Sequence, residues 1–374
     1  MKKTKIFAAY LPQYHETEDN NKFWGKGFTD WVGVKKAEPQ FEGHQQPRIP
    51  LNNNYYDLSN KASITWQADL AKKYGIDGFN IYHYWFKNGK QELERPAELL
   101  LSNPQIDIQY FFSWDNCSWK RTWSNLPGND WGSADEKNSN QTSGMLAELD
   151  YGGEAEWNSH FEYLLPFFKD KRYLKINGAP VFAFMTAIQP DRLQVMGEYW
   201  KILAKKAGFS GLYLISQKSY SKEKVHFDNV FIYEPIRSSW GMRKMVESKA
   251  KEFLNIELKS KSKVKYLYEY DYVWKRILRR TKKSRGRTIP GCFVQYDDTP
   301  RRGKNAGVII EATPAKFKKY FNSFYAMCCK NNVEFLLITA WNEWGEGAYL
   351  EPDTVYKEKY LEVIKDVKVK IYEN

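Results

Sequence analysis

The sequence predicts an α/β fold, a single parallel (β/α)8 barrel of the TIM type, and three observations carry that prediction. Eight short β-rich runs recur along the 374 residues. Most are nearly continuous in apolar residues, as strands covered on both faces require. Helical patterns lie between many of them; such alternation gives a parallel sheet, and eight strands close a barrel. The rival is a doubly wound open sheet, which predicts a glycine-rich phosphate loop after an early strand. The first run is followed instead by L-P-Q-Y-H (11–15), with no G-x-G-x-x-G or Walker A pattern.

The runs are K-I-F-A-A-Y-L (5–11), G-F-N-I-Y-H-Y (78–84), I-Q-Y-F-F-S-W (108–114), P-V-F-A-F-M-T (180–186), L-Y-L-I-S-Q (212–217), N-V-F-I-Y-E-P (229–235), G-C-F-V-Q-Y-D (291–297) and E-F-L-L-I-T-A-W (334–341). Residues 63–75 have apolar positions at helical spacing and end on Gly75, a C-cap residue. Residues 154–168, 192–208, 314–330 and 355–367 continue the pattern. The loops after strands one (12–60) and three (115–153) are long, and long loops at one end of a barrel are where its site is built. No repeat or linker divides the chain, so one catalytic domain over 1–374 is expected, with a basic insertion at 240–289 after strand six.

Composition narrows the function. Aromatics make up 17% of the chain, with 14 Trp and 26 Tyr. That excess either packs or offers flat faces to sugar rings. The net charge of +12 is concentrated between Arg243 and Arg287, where 16 Lys/Arg face five Asp/Glu. This segment is either a solvated helical face or a peripheral contact for anionic groups, such as lipid headgroups or a lipid-linked diphosphate. No nucleic-acid motif accompanies it. Four cysteines, none in a C-x-x-C pattern, fit a reducing compartment. The apolar run after Met1 is too short for a signal peptide and no segment approaches the length of a membrane span. A cytoplasmic protein, peripheral to the inner membrane if the basic segment binds lipid, is the expectation.

A barrel places its chemistry at the C-terminal ends of its strands. Those ends deliver Tyr10, Gln13, Tyr14 and His15, with Trp31 in the loop beyond; then His83, Tyr84 and Trp85; then Trp114, Asp115, Asn116 and Trp119. Strands five and six give Gln217 and Glu234, and strand seven gives Asp297, Asp298 and Arg301. Strand eight gives Trp341, Asn342, Glu343, Trp344 and Glu346, within W-N-E-W-G-E-G-A-Y-L-E-P-D (341–353). There is no G-x-S-x-G elbow, no Cys with an evident His partner and no H-E-x-x-H. Asp297-Asp298 reads as a structural turn before it reads as a divalent-ion site, and neither metal nor cofactor is expected.

Paired carboxylates among aromatic platforms are what glycosidic chemistry requires, one acid at the bridging oxygen and a second assisting at the anomeric carbon. Retaining enzymes of the usual kind hold the two about 5–5.5 Å apart across the sugar. Glu343 and Glu346, three apart in one loop, do not easily flank a ring from opposite sides.

At these residues the sequence resembles known families. N-E-W-G-E-G with L-E-P-D is similar to the N-E-W-H-E-G motif of glycoside hydrolase family 99, the endo-α-mannanase and endomannosidase group. The whole chain more closely resembles the WbsX-like proteins of bacterial polysaccharide and O-antigen biosynthesis, through Y-L-P-Q-Y-H (10–15), G-K-G-F-T-D-W (25–31), Y-G-I-D-G-F-N-I-Y-H-Y-W-F (74–86), D-D-T-P-R (297–301) and the final motif. The resemblance implies a (β/α)8 barrel, with Glu343 as base on the sugar 2-hydroxyl and Glu346 as acid and then base, through an anhydro-sugar intermediate. The chain departs from the hydrolases at Gly345, where they carry His, and from many WbsX-like proteins at Asp298, where Asn is expected. Three functions follow: glycosyl transfer with retention in surface-polysaccharide assembly on an oligo- or polysaccharide, lipid-linked or free; a retaining endo-glycosidase; and a non-catalytic sugar-binding protein.

Overall fold

The structure is a computed structural model that describes residues 3–120, 145–185, 189–218, 227–239 and 264–373. Eight parallel strands share one sheet: β1 (Lys5–Tyr10), β2 (Gly78–His83), β3 (Gln109–Trp114), β4 (Ala179–Phe184), β5 (Tyr213–Lys218), β6 (Asn229–Ile232), β7 (Gly291–Phe293) and β8 (Phe335–Thr339). They run β7-β8-β1-β2-β3-β4-β5-β6 around the sheet. The remaining seam, between β6 and β7, is bridged at Phe231 and Ile289, where Ile232 N donates to Ile289 O (3.1 Å) and Ile289 N to Val230 O (2.9 Å). A Cβ on Gly291 would run into the Ile232 carbonyl oxygen, so the strands meet here because this residue has no side chain. The result is a nearly closed (β/α)8 barrel, the predicted fold.

The surrounding helices are α1 (Lys61–Lys73), α2 (Arg95–Ser102), α3 (Glu154–Lys169), α4 (Pro190–Lys206), α5 (Tyr270–Ser284), α6 (Pro314–Lys330) and α7 (Lys359–Glu373). Strand side chains alternate between barrel interior and helix layer. Phe7, Phe111 and Phe335 point inward and pack edge to face, with centroids 5.3–5.5 Å apart. One residue further along β2 or β3 the side chain faces a helix, which decides below which strand-end residues reach the site.

Of the expected basic insertion, residues 240–263 lie outside the described residues. The described remainder holds strand Tyr266–Glu269, paired in parallel with Gly307–Ile310, and α5. This helix is the barrel's own crossover from β6 to β7. Tyr270, Val273, Trp274, Ile277 and Thr281 form its buried face, and Trp274 stacks on Tyr320 of α6 and on Phe293 of β7. Its basic residues Lys275, Arg279, Lys282 and Lys283 are exposed. Among the described residues no helix is long and apolar enough to cross a membrane.

The first and last strands in the chain, β1 and β8, are paired in register from Lys5↔Phe335 to Ala8↔Ile338. Just beyond, Asn342 clamps the Leu11 backbone: its Oδ1 accepts from Leu11 N (2.8 Å) and its Nδ2 donates to Leu11 O (2.9 Å). Asn342→Ala leaves both groups buried without a partner. We expect a loss of about 2–4 kcal/mol of unfolding free energy, read from urea denaturation of the two proteins side by side.

Candidate active site

Beyond β8 the chain makes a short antiparallel pair, Asn342–Glu343 with Ala348–Tyr349, around the 3-10 turn Trp344–Glu346. This loop is held from both sides. The Tyr14 hydroxyl donates to Asn342 O (2.5 Å) and accepts from Trp344 N (3.1 Å). The Trp344 indole stacks on Tyr349 at 3.7 Å and donates to Glu351 Oε2 (2.6 Å). Glu351 is buried and also accepts from Tyr56 OH (2.9 Å) and Gln67 Nε2 (2.7 Å). Burial pushes its carboxyl up to about 7 against those donors. The indoles of the motif are thus scaffold: Trp341 is fully buried beside Phe79, and Trp31 packs on Tyr14, Tyr56 and Trp344 while donating to Tyr56 O.

On that scaffold Glu343 and Glu346 share one guanidinium. Arg301 Nη2 donates to Glu343 Oε2 (2.9 Å) and Nη1 to Glu346 Oε1 (2.8 Å). Its Nη2 and Nε also approach Asp30 at 3.3–3.4 Å. Arg301 is reachable because it lies in the short helix Thr299–Arg302, whose loop is pinned to the 344–346 turn by Asp297 N donating to Glu346 O (2.7 Å). Burial opposes the Arg301 charge, but Asp30, Glu343 and Glu346 outweigh it and hold the guanidinium firmly protonated.

Three carboxyls around one cation leave an excess of negative charge. Glu343, 3% exposed, takes the consequence: burial first, then the neighbouring Glu346 and Asp30, push its carboxyl up to about 8 despite the pull of Arg301. Glu346 is different. About a fifth of its side chain reaches solvent, so the pair consists of one enclosed carboxyl and one at the opening. Gly345 makes the arrangement possible, since a Cβ there would lie 2.6 Å from Asp30 Oδ2 and 2.7 Å from Arg301 Nε. The Asp30–Arg301 pair occupies the space a larger residue at 345 would need.

Strand alternation brings further groups inward. Tyr84 lies within the electrostatic reach of Asp115, Glu343, Arg301 and Asp30. The half-buried Asp115 carboxyl is itself pushed up to about 7 by burial. Asn116 is fixed beside it by donating to Tyr151 OH (2.6 Å). The same alternation turns other strand-end residues outward. His83 faces α3, where its Nε2 meets His160 Nε2 at 2.7 Å, and burial depresses it to about 3. Trp85 stacks on His160 (4.3 Å) and Trp114 packs edge-on to the same ring. Tyr10 reaches Gln67 on α1. Glu234 bonds Ser238 and Arg280 behind the sheet. His15 is buried near Asp57 and Glu94, and burial lowers its pKa.

The Asp297 and Asp298 carboxylates are occupied locally. Asp297 accepts from His44 or its tautomer (2.7 Å), Gln46 (2.6 Å) and Thr299; Asp298 accepts from Gly307 N (2.6 Å) and pairs with Arg302. The turn reading describes this geometry.

Four residues of the site were not singled out from the sequence. Asp30 stood inside the quoted G-K-G-F-T-D-W segment. Tyr82 and Tyr233 lie side by side, and both sense Glu343 and Glu346; Tyr296 senses Glu346. Period-two alternation counted back from Tyr84 finds Tyr82; nothing local in the sequence marks Tyr233 or Tyr296.

The family model described as "Glycosyltransferase WbsX" matches residues 6–364. WxcX proteins from two strains of Xanthomonas campestris pv. campestris are 26% and 27% identical over 359 residues, covering 93% of this chain and 47% of theirs. The chain thus spans about half the length of these relatives. Among solved structures it is similar to the GH99 endo-alpha-mannosidase of Bacteroides thetaiotaomicron (TM-score 0.56, 12% identity, 98% of this chain and 97% of that one). A glycoside hydrolase-like protein matches with a TM-score of 0.57 at 13% identity, over 98% and 94% of the two chains. At such identity the likeness is one of fold.

Followed by carbon NMR, the Glu343 carboxyl should titrate near 8. Because Arg301 lowers this value, Arg301→Met should raise it further. A midpoint in the ordinary range of about 4–5 contradicts the enclosed, negatively surrounded site.

Proposed function

Because the chain belongs to the WbsX glycosyltransferase family, we propose that it makes or rearranges glycosidic bonds in bacterial surface polysaccharide, by glycosyl transfer with retention, with Glu343 and Glu346 as the catalytic pair. The observation that carries this reading is the shared guanidinium: both carboxyls hang from Arg301 and therefore stand on one wall. That placement suits neighbouring-group participation better than attack from opposite faces of a ring. In the first half-reaction Glu343 takes the proton of the sugar 2-hydroxyl. The 2-oxygen bonds to the anomeric carbon as the bond to the leaving oxygen breaks, and Glu346 protonates that oxygen. In the second half, Glu346 removes the proton of an acceptor hydroxyl, which opens the anhydro ring, and Glu343 returns its proton to the 2-oxygen. Two inversions give net retention.

The raised pKa of Glu343 supports the role of base toward a weakly acidic hydroxyl, since a base works best with a pKa near the operating pH. Arg301 is a positioning residue that sets both the spacing and the charge of the pair. Water in place of the acceptor sugar turns the same steps into the endo-glycosidase reading, which the N-E-W-x-E-G pattern favours. A purely sugar-binding role leaves the elevated Glu343 carboxyl without a use. In this proposal residues 1–374 form one catalytic domain, the polymer or its lipid-linked precursor is the substrate, and the exposed basic face of α5 contacts anionic headgroups at the inner membrane from the cytoplasmic side.

The test incubates the protein with the source organism's surface polysaccharide and lipid-linked precursor, with and without sugar nucleotides, and reads products by mass spectrometry. Product formation should fall at least about 100-fold in both Glu343→Gln and Glu346→Gln. Chain growth that needs a nucleotide supports transfer, and cleavage without one supports the endo-glycosidase. Product formation unaffected by either substitution removes the assignment. With Glu343 as base, the rising limb of kcat/KM against pH should have its midpoint near 8, and Arg301→Met should move that limb to higher pH.

A further inference from the structure

Behind the wall that carries Glu346 lies a second cavity of about 640 Å³, within the size range of small-ligand sites. One side is the loop carrying Phe41, His44 and Arg48; the other is formed by residues 295–297 and 308–313, with Tyr356 between them. The loop is fixed in place, because Asp297 holds both His44 and Gln46 and Phe41 stacks on the His44 ring at 4.3 Å.

The cavity is lined by a cation that no acid pairs with, although Glu42, Asp297 and Glu311 also line it; Asp297 is taken by His44 and Glu311 by Lys316. The Arg48 guanidinium has one hydrogen bond, from Nη1 to Gln45 Oε1 (3.1 Å), and its buried Nε has no partner. Among the described residues no carboxylate lies within ion-pair distance of it. The acids whose charge it feels, Asp297 and Asp353, are committed elsewhere, Asp353 to Tyr349 OH (2.8 Å) and to the backbone of Val355 and Tyr356. A half-buried guanidinium without an ion-pair partner, lining one cavity, calls for an acceptor-rich guest. The planar guanidinium matches carboxylate and phosphate oxygens in pairs, while Phe41 and Tyr356 supply flat apolar faces for a sugar ring.

We propose that this cavity is a second binding site, for a sugar unit carrying an anionic group, with Arg48 holding the carboxylate or phosphate. It adjoins the candidate active site through Tyr296, which lines the cavity and senses Glu346, so an acidic unit bound here sits one residue layer from the reacting pair. The inference does not rest on the reaction assigned to Glu343 and Glu346, since binding needs no turnover.

Calorimetry with sodium glucuronate, glucose 1-phosphate and glucose tests it. At least one anionic probe should bind more tightly than glucose; which one does identifies carboxylate or phosphate as the group recognised. Arg48→Met should weaken that binding about tenfold or more, with the thermal midpoint as a check on folding, whereas Glu346→Gln should retain it. Equal affinity for glucose, or binding unchanged in a folded Arg48→Met protein, overturns the proposal. Should Arg48→Met fail to fold, Glu42→Gln serves instead. Glu42 is an exposed acid on the rim, and its neutralisation should tighten anionic binding about two- to threefold and leave glucose unchanged. No tightening overturns the proposal. An anionic probe bound through Arg48 by a protein that turns over no glycan leaves this site standing and removes only the reaction.

Discussion

The arrangement turns on one guanidinium shared by three acids. Arg301 meets Glu343, Glu346 and Asp30 at hydrogen-bond distances, and the four side chains come from three parts of the barrel: Asp30 from the long loop after β1, both glutamates from the turn after β8, Arg301 itself from the loop after β7. Gathering like charges in an enclosed place is costly, and only a cation in their midst makes it tolerable. The consequence of that conflict is a Glu343 carboxyl pushed up to about 8. The electrostatics that hold the loops together are therefore also what gives the site a titrating group near neutral pH.

The scaffold behind the charges is apolar and rigid. Trp31, Tyr14, Tyr56, Trp344 and Tyr349 form a continuous packed group, and the polar ends of its rings are tied to Glu351 and to the backbone. This explains why so many aromatic residues crowd the C-terminal ends of the strands. Most of them at this site are the mould in which the carboxyls are set, rather than surfaces offered to a ligand.

Much of the fold was legible in the sequence because continuous apolar runs are forced on strands covered from both sides, and all eight runs became barrel strands. The site was legible in part. The pair Glu343 and Glu346, together with Arg301, Tyr14, Tyr84 and Asp115, could be read from the strand ends. His83, Trp85, Trp114, Tyr10 and Glu234 came from the same ends yet face the helices, because successive strand residues point to opposite sides and the turn after each strand resets the count. Asp30 was hidden by its distance along the chain from everything it touches. In α5 the density of Lys and Arg masked an apolar spacing at 270, 273, 274 and 277 that is the ordinary signature of a buried helix face. The Asp297–Asp298 pair shows the converse, where side chains suited to a cation are engaged by their own turn and by His44 and Gln46.

The clasp between Leu11 and Asn342 spans 331 residues of sequence, and it joins the first strand to the turn that carries both glutamates. During synthesis β1 emerges before its neighbour β8, with the rest of the barrel made between them. Until then one edge of β1 has no partner, and open strand edges are where chains stick to one another. The turn that carries Glu343 and Glu346, for its part, has nothing to close against until the whole circuit of the barrel has been laid down. Ring closure and assembly of the candidate site are thus one event.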